Sequence, residues 1–191
     1  MLIAECGLLL SRELEETRIV LPAGTPLAAL ALTTSGMARA YAEDGVTFFS
    51  SDDPVNALAA YYYGFGWLHF GIAYGLLSCP KKPACPFDGQ HVTLPPAHMA
   101  RLNEKVQRYA RLLDTACASV VPAPEPETVA WVFAGRVIVI GAGYARGGHS
   151  SLVAGEREAA LARFSYGHGW VDAGARAGLL ALTGNREIFT V

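Results

Sequence analysis

The sequence predicts an all-α fold: two three-helix up-and-down units in tandem, six main helices related by a pseudo-twofold. Three observations predict it. The stretch Tyr63–Leu77, YGFGWLHFGIAYGLL, recurs as Tyr166–Leu180, YGHGWVDAGARAGLL, at an offset of 103 residues. That offset holds without gaps from Tyr41–Leu77 to Tyr144–Leu180, where 14 of 37 positions are identical, far above chance. Prolines and glycines then divide each copy into three runs of helical length.

The elements follow in order. A first helix is expected over Leu2–Arg18, with Leu8, Leu9, Leu10 and Leu14 on its apolar side, and Pro22–Gly24 breaks the chain after it. Thr25-Pro26 supplies a cap and a first-turn proline for a second helix to about Ser51. Asp52-Asp53-Pro54 repeats that signal and opens a third helix ending at Cys79-Pro80. Pro95-Pro96 opens a fourth helix to about Val121. A fifth is expected from Glu127 to about Arg146, weakened or ended by Gly147-Gly148, and a sixth from Glu156 through Leu182. The run VIVIGAG in the fifth segment reads alone as a buried strand, but its counterpart Ser35–Tyr41 is helical in pattern. Gly184 is the expected C-cap, followed by a short extended tail, NREIFTV. The domains are therefore repeat unit 1 over residues 1–79, a Pro-rich linker over 80–94, and repeat unit 2 over 95–191.

Composition narrows the function classes. A net charge of −2 argues against a nucleic-acid binder driven by phosphate contacts. The charge is uneven: residues 1–78 carry three Arg against eight acidic residues, and the remainder twelve basic against nine acidic. The N-terminus shows an apolar run without a basic flank, and four scattered cysteines make no disulfide framework. A cytoplasmic location with reduced thiols is the expectation.

The pattern Y-x-x-D-G…F…D-P-V-N-A-L-A-x-x-x-Y-G-x-G-W-L in residues 41–68 resembles the archaeal family known as domain of unknown function 357. The stretch ALARFSYGHGWVDAGARAGLL at 160–180 matches its motif more closely, keeping Asp172-Ala173-Gly174. The resemblance implies an archaeal, helical, cytosolic protein of unassigned activity. In that family Asp-Ala stands where the first unit has His69-Phe70.

The third helix carries glycines 64, 66, 71 and 75, each costing about 1 kcal/mol relative to Ala inside a helix. On a helical wheel Ala57, Ala60, Gly64, Gly71 and Gly75 share one stripe, which predicts close approach of another helix backbone beside Tyr63, Trp67, Phe70 and Tyr74. Val55–Cys79 lacks Asp, Glu, Lys and Arg, yet its copy holds Arg163, His168, Asp172 and Arg176, so no membrane span is expected.

The outer sectors of the two copies differ. Ser165, His168, Asp172 and Arg176 read as a solvated face, with Asp172 and Arg176 spaced for an i, i+4 ion pair. Tyr62, Phe65, His69 and Ala73 read as a covered face, under the linker or, slightly favoured, under a protein partner or second copy. Cys79, Cys85, His91 and His98 offer a weak zinc alternative, at unusual spacing. No P-loop, G-x-S-x-G or H-E-x-x-H motif is present, Gly141-x-Gly143 lacks the dinucleotide context, and no cofactor or catalytic residue is implied. The leading expectation is a non-enzymatic helical interaction or assembly module. Its rival is a small-molecule binder or enzyme with a site between the units, drawn from Tyr63, Trp67, His69, Tyr166, His168, Trp170, Asp172 and Arg176.

Overall fold

A computed structural model describes residues 3–81, 83, 85–87 and 92–190. The all-α fold is as the sequence predicts, with six helices and two small strand pairs among the described residues. Unit 1 runs α1 (Ile3–Glu16), β1 (Arg18–Ile19), α2 (Pro26–Ser50), α3 (Pro54–Ala73) and β2 (Leu77–Ser78). After a 3₁₀ turn at Pro96–His98, unit 2 runs α4 (Met99–Ala118), β3 (Val120–Pro122), α5 (Val129–Val153), α6 (Arg157–Arg176) and β4 (Leu180–Leu182). A last 3₁₀ turn, Arg186–Ile188, stands where an extended tail was expected.

The duplication holds to the level of single backbone bonds. Helices α2 and α5, and α3 and α6, start and stop at equivalent residues. Arg18 pairs with Ser78 and Ile19 with Leu77, while Val121 pairs with Ala181 and Pro122 with Leu180, the same register one repeat later. Positive φ recurs at Gly24 and Glu127, at Asp52 and Gly155, and at Gly75 and Gly178. Thr25 caps α2 by accepting from the Ala28 N–H, and Thr128 caps α5 by accepting from the Trp131 N–H.

Two helix ends correct the sequence reading. Helix α3 stops at Ala73 rather than Cys79, and α6 at Arg176 rather than Leu182. The cause is a left-handed glycine two residues before each short strand. Gly75 (φ 79°) donates to the Ile72 carbonyl and Leu76 to Gly71; Gly178 (φ 71°) donates to Ala175 and Leu179 to Gly174. Both are Schellman ends, which satisfy the last carbonyls and release the chain to pair as a strand. Gly75 is thus a turn residue and not a packing residue, and Gly184 caps no helix. Helix α5, in turn, continues past Gly147-Gly148 to Val153. The α6 side chains Arg163 and Phe164 lie over these glycines and occupy the space a β-carbon would need.

Each unit packs its three helices together, and the units join through α3 against α6. Their buried residues form one continuous core, including Leu10, Leu58, Trp67, Leu102, Leu113, Phe164 and Trp170. The closest approach is at Gly66 and Gly169, equivalent residues in the two copies. A β-carbon on Gly66 would stand 2.5 Å from the Tyr166 carbonyl oxygen, and one on Gly169 would stand 2.5 Å from the Tyr63 carbonyl oxygen. The expected backbone approach is therefore present, centred on Gly66 rather than on the 64/71/75 stripe. Gly64 faces Leu10 and the Ala38 carbonyl inside its own unit, and Gly71 faces Leu77 and Thr34. An ion pair between Asp53 and Arg101, 2.5 Å apart, adds a link across the units.

Helix α3 is buried along nearly its whole length inside the fold. Among the described residues one helix, α5, is long and apolar enough by length and composition to cross a membrane.

Adding a methyl at Gly66 (Gly66→Ala) should destabilise the protein by about 2–3 kcal/mol, because backbone atoms cannot step aside as side chains do. Gly36→Ala, in an open position on α2, should stabilise it by about 0.5–1 kcal/mol. Urea denaturation of the two variants beside the parent checks both signs.

Candidate functional site

The α3–α6 crossing fixes where the repeated tyrosines reach. Tyr63 on α3 donates its hydroxyl hydrogen to the Asp172 carboxylate on α6. Tyr166 on α6 makes the equivalent contact with His69 on α3, its oxygen 3.0 Å from Nδ1. Position 69 in one copy is position 172 in the other, so one geometric contact appears twice with different chemistry. Behind the first contact, the Thr190 N–H and hydroxyl donate to Asp172 at 2.9 and 2.6 Å. Behind the second, His69 Nε2 lies 2.9 Å from the Glu13 carboxylate.

The sector read as solvated is therefore buried. Ser165 and Asp172 are 0% exposed and His168 is 7% exposed. The i, i+4 pair does not form: Arg176 is exposed, while Asp172 turns inward to Tyr63 and Thr190. A carboxylate buried beneath three neutral donors satisfies its lone pairs without a cation.

The sector read as covered is buried too, and the chain's own linker supplies the cover. The Tyr62 hydroxyl donates to the Pro86 carbonyl at 2.7 Å, and Phe87 lies 5.1 Å from the Tyr62 ring. Phe65 is 0% exposed, and only Ala73 at the helix end faces solvent. The apolar face that suggested a second subunit is thus occupied from within.

Between the units, on the Tyr63 side of the crossing, lies a cavity of about 350 Å³. Tyr41, Asp44 and Phe48 from α2 and Asn56, Ala59, Ala60 and Tyr63 from α3 form one wall. Lys105, Tyr109 and Leu112 from α4, His168 from α6, and Ile188 and Thr190 from the tail form the other. Its volume is at the lower end of small-ligand sites, and its lining mixes aromatic surface with convergent polar groups. Tyr41 and Tyr63 lie with ring centroids 4.4 Å apart, and Tyr63 meets the His168 ring edge-on at 5.5 Å.

The ionisable groups are set by that environment. Burial pushes Tyr63 well above the usual tyrosine range and the Asp172 carboxylate adds to it, so Tyr63 is a permanent hydrogen-bond donor. Burial likewise raises Tyr41, again with Asp172 contributing. Lys105 is lowered, chiefly by burial and then by the nearby Arg108. Burial lowers His168 against the opposing pull of Asp172, which keeps the imidazole neutral at pH 7. Its Nε2 is buried without a hydrogen-bond partner.

Of the residues the sequence nominated, Tyr63 and His168 line the cavity, and Asp172 supports it from behind. Tyr166 and His69 sit at the mirror-related contact on the other side of the crossing. Trp67 and Trp170 are core residues, 0% and 4% exposed, and Arg176 lies outside. Sequence reasoning did not nominate Tyr41, Asp44, Asn56, Lys105, Tyr109, Ile188 or Thr190. Among the described residues the weak zinc set, Cys79, Cys85 and His98, does not come together. Among the described residues no three metal-ligating side chains cluster, Cys79 and Cys85 are free thiols, His98 lies 3.9 Å from Asp52, and His91 falls outside the described residues.

Fold and site together define a duplicated three-helix repeat protein with a cavity of mixed aromatic and polar lining at the junction of its repeats. The chain belongs to the family described as Protein of unknown function (DUF357), whose model matches residues 8–77 and again residues 108–180. No curated protein and no solved structure matches the chain.

The neutral, buried His168 gives a pH test with a definite sign. The unfolded chain protonates this residue near pH 6.5, while the folded chain does so only at lower pH. Stability is therefore unaffected by His168 above about pH 6.5 and is lost as the pH falls through that value. In His168→Phe, which installs the residue found at the equivalent position 65, the loss of stability between pH 7.5 and 5.5 should be smaller than in the parent. Urea midpoints at the two pH values measure it; equal losses would show that His168 is not held neutral by burial.

Proposed function

We propose that this protein binds a small polar molecule in the cavity between its two repeats. One observation carries the reading: the cavity is lined by a neutral histidine, His168, whose buried Nε2 has no partner within the protein. Tyr41, Tyr109 and Lys105 supply further donors around it, and Asp44 and Asn56 supply acceptors. Asp172 serves as a brace. Its oxygens already hold Tyr63 and Thr190, which fixes the Tyr63 ring and the C-terminal tail against the cavity. Tyr41, Asn56, Lys105 and Tyr109 are half-buried and Asp44 is exposed, so polar groups line the cavity from its wall to its mouth.

The reading is tested by thermal-shift measurement of the full chain against a library of small metabolites. A binding compound should raise Tm in the parent and leave Ala60→Trp unchanged, because a large side chain at Ala60 fills the cavity. The helix accepts bulk at this position, where the other repeat carries Arg163. Compounds that stabilise both proteins equally would place the site elsewhere.

A second reading, assembly through a protein surface, is favoured by residues other than Tyr62, Phe65, His69 and Ala73. The outer side of α5 presents Val132, Val139 and Val153, which are 61%, 66% and 91% exposed. The equivalent α2 positions are Ala29, Gly36 and Ser50, and α2 exposes Leu32 and Val46 instead. Its occupant in this reading is a second copy of the chain. Light scattering after size exclusion should then show a dimer that Val139→Glu converts to monomer.

A further inference from the structure

We infer that the ligand of the open cavity carries a planar aromatic ring, held where the chain's own Phe87 sits in the mirror-related cleft. The inference deepens the binding reading above and rests on it.

The duplication creates two equivalent clefts, one on each side of the Gly66–Gly169 crossing. In the first, Tyr144 and Tyr166 lie with centroids 4.5 Å apart, and Phe87 from the linker fills the space against them. Its ring stands 5.3 Å from Tyr144 and 5.4 Å from Tyr166, edge-on to the latter, with the Arg163 guanidinium 5.7 Å over its centre. These are favourable aromatic and cation–π geometries. In the second cleft the equivalent pair, Tyr41 and Tyr63, keeps its spacing at 4.4 Å, and the volume stays open. The linker sets Phe87 in the first cleft, whereas the C-terminal tail, its equivalent one repeat later, reaches the second with Ile188 and Thr190, a threonine standing at the position of Phe87.

The substitutions between the clefts say how the second ring differs from a phenyl group. Ala60 stands where Arg163 closes over Phe87, which leaves room for a larger ring. Ser165 replaces Tyr62, His168 replaces Phe65, and Asp172 replaces His69. Of these, His168 lines the open volume and its Nε2 lacks a partner within the protein, while Ser165 is fully buried one turn away on α6 and Asp172 holds Tyr63 from behind. The apolar cradle of Phe87 thus becomes a hydrogen-bonding one. A ring with polar substituents, such as a phenol, an indole or a nitrogen heterocycle, matches it.

The test uses phenol and cyclohexanol, which share a hydroxyl and a similar size and differ in aromaticity. Saturation-transfer NMR on the full chain should detect phenol bound at least tenfold more tightly than cyclohexanol. That binding should be lost in Tyr41→Ala and in Ala60→Trp. Phe87→Ala should gain a second phenol site and recover Tm on phenol addition more than the parent does. Equal binding of phenol and cyclohexanol overturns the ring inference, and so does phenol binding that survives Ala60→Trp. Should Phe87→Ala fold yet bind only one phenol, the equivalence of the clefts is overturned. If instead a non-aromatic compound binds the parent but not Ala60→Trp while phenol binds neither, the cavity reading stands and the ring inference alone fails. If filling the cavity changes the binding of no compound, both fail.

Discussion

The structure depends on one contact, the backbone crossing of α3 and α6 at Gly66 and Gly169. No β-carbon fits there, because each would stand 2.5 Å from a carbonyl oxygen of the opposite helix. Packing this close aligns Tyr63 with position 172 and Tyr166 with position 69, which no wider helix spacing would allow the same side chains to reach. The two units thereby share one core, and the conformational cost of glycine within a helix is offset by interhelical contact made along its length.

From this common frame the two sides diverge through side chains alone. On one side Tyr166, His69 and Glu13 form a buried relay that ties α6 to α1, and Phe87 fills the space beside it. On the other, Tyr63, Asp172 and Thr190 tie α3 to the C-terminal tail, and the space beside them is open. A duplicated backbone gives both halves the same hydrogen-bonding positions. Burial then makes the identity of each side chain matter, since an unmatched polar atom away from water costs about 1–3 kcal/mol. One cleft is consistent with a structural role, and its copy has been left to differ.

Much of the fold was legible in the sequence. The repeat fixed the equivalence of helices, Thr25 and Asp53 marked N-termini correctly, and the Gly-aromatic pattern announced a close helix contact. The C-termini were misplaced because apolar residues after Gly75 and Gly178 continue the helical pattern while the glycine backbone reverses it. The burial of Asp172 was hidden for a related reason. An i, i+4 Asp-Arg spacing reads as a surface pair, and only tertiary structure shows Tyr63 and Thr190 arriving from 109 residues before and 18 after. The far wall of the cavity was likewise illegible. Lys105 and Tyr109 look like ordinary positions on an amphipathic α4, and Thr190 belongs to a tail without pattern. What the sequence did expose was the pair of differences, Phe65 against His168 and His69 against Asp172, that distinguish the two clefts.

Native-state hydrogen exchange of the whole chain tests the central claim most directly, because it reads the stability of each helix separately. If the glycine crossing fuses the two repeats into one core, amides in the middle of α3 and of α6 should exchange only through global unfolding, with one common free energy. They should respond together to Gly66→Ala, although that substitution lies in the first repeat alone. Two distinct opening energies, with α6 untouched by Gly66→Ala, would show two independent bundles and contradict the account.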